Sequence, residues 1–201
     1  ADVIAEQLAA YLTHRTTGRP HVVLKLAASL DGRTAAPDGT SRWITGEAAR
    51  ADAHRLRAES DAILVGAGTV RADDPELTVR HVSGRDPLRV VLGRAPEGAK
   101  VHPCLEMQGA LGEILDELGT RDVLQVLVEG GATVAGAFHR AGLVDAYVVY
   151  LAPVLFGGDD APGLFSGAGA GTMSDVWRGR ITRTTHLGDD IRVDLQPARS
   201  T

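Results

Sequence analysis

Residues 123–151 read VLQVLVEGGATVAGAFHRAGLVDAYVVYL, and the changes of period along this stretch decide the fold. Val123 to Val128 is a short apolar run, the trace left by a strand buried on both faces. Gly130 and Gly131 open a helix from Ala132 to Arg140, which Gly142 closes. Val144 to Leu151 is a second apolar strand. A strand, a helix and a strand within about 30 residues imply repeated layers around a mostly parallel sheet.

The alternation continues in both directions. His21 to Ala28 (HVVLKLAA), Asp61 to Gly66 (DAILVG) and Leu88 to Leu92 (LRVVL) read as strands. Gly46 to Glu59 reads as a helix with Thr45 at its N-cap, and Ala110 to Leu118 as a helix stopped by Gly119. Ala1 to Thr13 has helical periodicity and ends at the polar segment 16–20. Residues 29–41 and the stretch GAGTVRADDPELTVR (66–80) read as loops, the latter with a turn at Asp73-Asp74-Pro75. After the glycine-rich stretch 157–171, which reads as a disordered segment or a loop beside a ligand, ITRTTHLGDDIRVDL (181–195) alternates around Gly188-Asp189-Asp190 as an antiparallel hairpin. The expected class is α/β: a mixed, mostly parallel sheet with helices on both faces and antiparallel C-terminal strands. Residues 1–20 form a helical lead-in and 21–201 the domain.

Composition narrows the function. Hydrophobic residues make up 44% and aromatics only 4%, so the core is built from Ala, Val, Leu and Ile. The formal net charge of -5 argues against a nucleic-acid or anionic-membrane surface, yet leaves room for a small anion met by local arginines. Cys104 is the single cysteine, so neither an intrachain disulfide nor a multi-cysteine metal cluster is available. The seven histidines are widely spaced without an HExxH pair, and no metal site is expected. No apolar run approaches the ~20 residues that span a bilayer and no secretory leader is visible, so a cytoplasmic location is expected.

In open α/β sheets ligands gather at the carboxyl ends of strands. Gly130 and Gly131 stand at such an end, where backbone N–H groups can approach a pyrophosphate; a tight turn alone would also need them. Glu129 just before them can accept hydrogen bonds from a ligand amide or be a surface charge. Lys25, inside an apolar run, reaches a ligand or snorkels. Arg57 and Arg80 are candidates for bidentate phosphate contacts or ordinary solvated arginines. Asp73 and Asp74 hold a turn or face the ligand, and Trp43 stacks on a ring or anchors its loop.

LKLAASLDGRTA, SRWITG, LRAESDAILVGAGTVRADDPELTVR and LVEGG together resemble the carboxyl-terminal reductase domain of the bifunctional riboflavin-biosynthesis deaminase-reductase family. The resemblance implies a dihydrofolate-reductase-like fold and a homodimer. It also implies reduction of 5-amino-6-(5-phosphoribosylamino)uracil to the ribitylamino product with NADPH, NADH being the lesser alternative. It places Ala27, Trp43, Thr69, Asp73, Gly131, Ala132, Thr133, Val134, Ala135, Gly136 and Ala137 against the dinucleotide. It places Ser41, Arg57, Leu77, Arg80 and Glu129 against the phosphoribosylamino-pyrimidine. Lys25 would lie near the ribose or its phosphate, and Lys25 and Asp73 are the candidates for assisting proton movement. The implied chemistry opens the ribose to an imine-like carbon that accepts hydride.

The lead-in QLAAYLTHRTTGRP resembles the connection from the family's deaminase half, so an upstream deaminase domain is expected. The region after LRVVLGR is shorter than the family pattern, leaving little room for another strand and helix. Within the family, reduction of the 2,5-diamino pyrimidine is the alternative; outside it, a non-catalytic nucleotide-binding module.

Overall fold

The structure, a computed structural model, describes residues 8–198. Its elements are α1 (Ala9–Thr17), β1 (His21–Ser29), α2 (Glu47–Ala58), β2 (Ala62–Gly66), α3 (Ala67–Asp73), β3 (Leu88–Leu92), β4 (Leu105–Met107), α4 (Leu111–Thr120), β5 (Gln125–Val128), α5 (Ala132–Arg140), β6 (Ala146–Ala152), β7 (Gly179–Leu187) and β8 (Asp190–Pro197). The sheet is mixed and mostly parallel and is flanked by helices, as the alternation of periods requires. The chain forms two compact units, one from residues 8–23 and 53–130, the other from 24–52 and 131–198.

In the first unit the strands run β4-β3-β2-β5, all parallel. Ala62–Val65, Val90, Val91 and Val126–Val128 are buried on both faces, which is why these stretches of their strands are apolar without alternation. Ile114, Leu115 and Leu118 of α4 complete the core at the 3-4 spacing of one helix face. In the second unit β6 pairs antiparallel with β8 and β8 with β7, closing through the turn at Gly188, whose φ of 67° suits glycine. Tyr147, Val148, Tyr150 and Ala152 of β6 are buried in this unit.

Several elements differ from expectation. Residues 1–7 of the expected first helix lie outside the described residues. That helix continues past Thr13 to Thr17, because the Thr16 and Thr17 hydroxyls donate back to the Leu12 and Thr13 carbonyls, and Gly18 ends it in the left-handed region. Residues 67–73 are a helix rather than a loop; Gly68, Thr69, Val70 and Asp73 are weak helix formers that hide it, and Asp74, at φ 42°, terminates it before Pro75. A three-residue strand, β4, does fit after β3. Gly119 lies inside α4, not beyond it. A Cβ there would overlap the Gly18 carbonyl oxygen, so close packing demands this glycine.

Thr45 is also not the cap of α2. Arg50 N–H donates to the Gly46 carbonyl, which makes Gly46 the capping position, and the Asp190 carboxylate accepts the Gly46 N–H at 2.6 Å.

Candidate active site

In the first unit, α2 carries Arg57 in its last turn and Glu129 follows β5. Arg57 Nε and Nη2 donate to the two Glu129 oxygens at 2.7 and 2.9 Å, and Nη1 donates to the Thr78 carbonyl at 3.1 Å. Their side chains keep 14% and 9% exposure, so water screens this fork-to-fork pair little. Burial works against the Arg57 charge, but the adjacent carboxylate outweighs it and holds the guanidinium above its ordinary pKa. Both residues were expected to face the substrate; the structure brings them to each other. Arg80 likewise closes on Glu76 at 2.5 Å, on the surface.

The backbone of the 76–81 loop is held by a residue the sequence reading passed over. His54, 7% exposed, accepts the Arg80 N–H on Nδ1 at 3.0 Å. An acceptor Nδ1 requires a neutral ring. Burial, aided by the nearby Arg57 and Arg80 charges, lowers the His54 pKa to about 4, so the ring is neutral at ordinary pH. Leu77 is buried at φ 55°, which turns the loop so that this bond forms. Thr69 and Asp73, expected in a loop, occupy positions i and i+4 of α3 and so share one side of that helix. The Asp74 carboxylate accepts the Lys100 N–H at 2.9 Å, the backbone-holding role open to either aspartate of the pair.

The second unit gathers the remaining candidates. Lys25 and Ala27, two residues apart, are the only two positions of β1 that are not fully buried, and alternation puts them on one face. Lys25 Nζ lies 5.8 Å from the Tyr150 ring centroid. Tyr150, 1% exposed, donates its hydroxyl to Asp52 Oδ2 at 2.7 Å. Arg192 Nη1 donates to the same oxygen at 2.8 Å, while its Nε and Nη2 grip Asp194. Two carboxylates raise the Arg192 pKa against the opposing cost of burial. Tyr150 and Arg192 are register partners across β6 and β8, so strand pairing fixes the ring that Lys25 faces.

Ser41 and Trp43 line a cleft of about 340 Å³ with Thr40, Val154, Leu155 and Phe156. Trp43 is 69% exposed, with the Arg50 guanidinium 4.7 Å from its ring centroid. The neighbouring DGR segment is structural: Asp31 accepts the Gly157 N–H, and Arg33 donates to the Gly158 and Ala161 carbonyls. These bonds pin the start of the glycine-rich stretch as an ordered loop. At α5, Gly131 is the N-cap and supplies no side-chain cap; Gly131 and Thr133 are exposed, Ala132, Val134 and Ala137 half-buried. Ala135 and Gly136 are buried, and a Cβ on Gly136 would overlap the Ser166 carbonyl oxygen. Close packing against residue 166 therefore accounts for that glycine.

Asp52, His54, Tyr150, Arg192 and Asp194 went unnoticed in the sequence. The alternation Arg192-Val193-Asp194 was a usable signal, since it puts opposite charges on one face of a strand. Nothing local marked Asp52 or His54, whose partners stand 140 and 26 residues away.

A mixed, mostly parallel sheet flanked by helices defines an α/β domain of the dihydrofolate-reductase type. Dihydrofolate reductase from Enterococcus faecalis shares that fold at a TM-score of 0.58 and 16% identity. Residues 20–193 match the family described as RibD C-terminal domain, and the chain belongs to that family. It is 41% identical to the riboflavin biosynthesis protein RibD of Mycobacterium tuberculosis over 96% of this chain and 60% of that protein. Acinetobacter baumannii RibD superposes at a TM-score of 0.90 with 35% identity, covering 98% of this chain and 64% of that one. A deaminase/5-amino-6-(5-phosphoribosylamino)uracil reductase from Thermotoga maritima superposes at 0.85 with 30% identity, covering 98% and 62%. The chain thus spans about six-tenths of the length of these relatives.

Proposed function

We propose that the chain reduces 5-amino-6-(5-phosphoribosylamino)uracil to its ribitylamino product with NADPH. The observation that carries this reading is the likeness, over 98% of the chain, to the Thermotoga protein whose name includes that reductase activity. Membership of the C-terminal family supports the reductase half of that name rather than the deaminase half.

The first turn of α5 fits a dinucleotide: with no side-chain cap, its leading N–H groups are donors suited to a pyrophosphate. Trp43 offers an exposed ring, and Ala27, Thr69 and Asp73 belong to the same nucleotide assignment. A bound reduced nicotinamide supplies hydride. The chain's own residues do the rest. Lys25 Nζ, steadied over the Tyr150 ring, polarises the opening ribose or delivers a proton to it. Ser41 contributes a hydroxyl in the cleft, and Leu77 and Arg80 stand on a loop fastened by neutral His54. Arg57 and Glu129 act as a preassembled pair that meets the substrate as a unit.

The test follows loss of NADPH absorbance with the uracil substrate, with NADH and the 2,5-diamino substrate in parallel. Turnover with the uracil compound and a ribitylamino product is expected. NADPH binding without turnover of either pyrimidine refutes the assignment.

A further inference from the structure

The segment that leads into β4 brings His102, Cys104 and Glu106 together, with one donor atom of each within 4.8 Å of the others. The sequence reading looked for paired cysteines and helical HExxH spacing, and so passed over ligands at i, i+2 and i+4 of an extended segment. None of the three belongs to the nucleotide or substrate assignments.

Two of the three groups are already oriented as metal ligands are. His102 Nε2 lies 3.1 Å from the Pro96 carbonyl oxygen, which can only accept, so Nε2 carries the proton. In the neutral ring Nδ1 then keeps its lone pair, and it lies 3.5 Å from Cys104 Sγ. A backbone carbonyl holding the far N–H is the usual way a metal-bound imidazole is aimed. Glu106 Oε1 accepts the Ala95 N–H at 2.9 Å, which restrains that carboxylate, and one of its oxygens lies within 4.8 Å of the other two donor atoms. The spacing agrees as well: a tetrahedral zinc with bonds of ~2.3 Å to sulfur and ~2.05 Å to nitrogen holds those atoms about 3.5 Å apart.

We propose that His102 Nδ1, Cys104 Sγ and the Glu106 carboxylate form a site for a borderline divalent cation of the zinc class. The nitrogen–sulfur–oxygen donor set selects zinc or cobalt over magnesium or calcium, which prefer oxygen alone. Cys104 gives its thiol proton to solvent as the sulfur–metal bond forms. His102 and Glu106 are exposed, so the fourth position faces water. Arg89, which donates to the His102 carbonyl at 3.4 Å, adds a positive charge nearby and holds the affinity below that of a four-ligand structural site.

Cys104 is the only thiol, so any sulfur-to-metal absorption band must arise from it. The chain, freed of metal with a chelator, is titrated with Co²⁺ and followed in the near ultraviolet. One equivalent per chain is expected to raise a thiolate–cobalt band that Zn²⁺ displaces. Cys104→Ser should abolish the band, and His102→Ala and Glu106→Gln should each weaken binding roughly tenfold or more. On the unmodified chain, Zn²⁺ should slow alkylation of Cys104, a readout that needs no variant to fold. The site is overturned if saturating Co²⁺ gives no band and Zn²⁺ leaves alkylation unchanged. It is equally overturned if the band survives both His102→Ala and Glu106→Gln, or if one cation joins two chains.

Discussion

Removing the Glu129 carboxylate tests whether Arg57 and Glu129 are one buried unit. Glu129→Ala strands a guanidinium whose side chain is 14% exposed and deletes two hydrogen bonds of 2.7 and 2.9 Å. Breaking a buried pair from one side costs about 3–5 kcal/mol, and the residual exposure puts this site near the lower figure. With a urea slope of roughly 2–3 kcal/mol/M for a domain of this size, the unfolding midpoint should fall by about 1 M or slightly more. Replacing both partners by apolar residues, Arg57→Met with Glu129→Leu, should recover much of the loss, leaving a coupling energy of about 2 kcal/mol or more. The exposed pair Arg55–Glu59, at 46% and 49% exposure, is the internal control and should couple by less than about 1 kcal/mol. Urea titrations of Glu129→Ala and Glu59→Ala, and of the two closed cycles Arg57→Met/Glu129→Leu and Arg55→Met/Glu59→Leu, decide the matter. If Glu129→Ala moves the midpoint no further than Glu59→Ala, and the Arg57 and Glu129 effects simply add, the buried-pair reasoning is wrong.

Other consequences follow from the same geometry. His54 has a folded pKa of about 4 against 6.5 unfolded, so its contribution is complete above pH 6.5 and is lost as pH falls toward 4. The stability difference between the parent and His54→Gln should shrink across that window by about 1–2 kcal/mol, allowing for partial screening; a pH-independent difference contradicts it. Gly119→Ala, which would gain about 1 kcal/mol in an isolated helix, should instead lose about 2 kcal/mol or more by thermal melting, because its methyl meets the Gly18 carbonyl. Tyr150→Phe should cost about 1–2 kcal/mol and Arg192→Met about 3–5, since the first removes one donor from Asp52 and the second deletes the ion pairs with both Asp52 and Asp194. Lys25→Met should lower kcat by roughly 10²-fold or more at unchanged stability if its ammonium assists the opening ribose; an unaltered kcat removes it from the chemistry.

The sequence by itself determined the class of the fold and every strand but the three-residue β4. A strand segment buried on both faces must be apolar, so the stretches Ala62–Val65, Val90-Val91 and Val126–Val128 inside DAILVG, LRVVL and VLQVLV announce themselves without knowledge of their neighbours. The helix at Ala132–Arg140 and the hairpin around Gly188 were equally plain, because glycine at a helix start or a tight turn is a local requirement. Local evidence failed where a residue's reason lies far along the chain. Gly119 reads as a helix stop until Gly18 is seen against it, and Thr45 reads as a cap until Asp190 is found holding Gly46. Residues 67–73 read as a loop because weak helix formers mask a helix whose end depends on Asp74. The same holds for the polar groups. The motifs identified Lys25, Arg57 and Glu129, but only tertiary structure decided that Arg57 and Glu129 share a fork and that Lys25 faces a tyrosine locked through Asp52 and Arg192. Periodicity records how each segment meets water and core, one residue at a time. Pairing depends on which distant backbones pass within about 3 Å of each other, and no short stretch of sequence contains that.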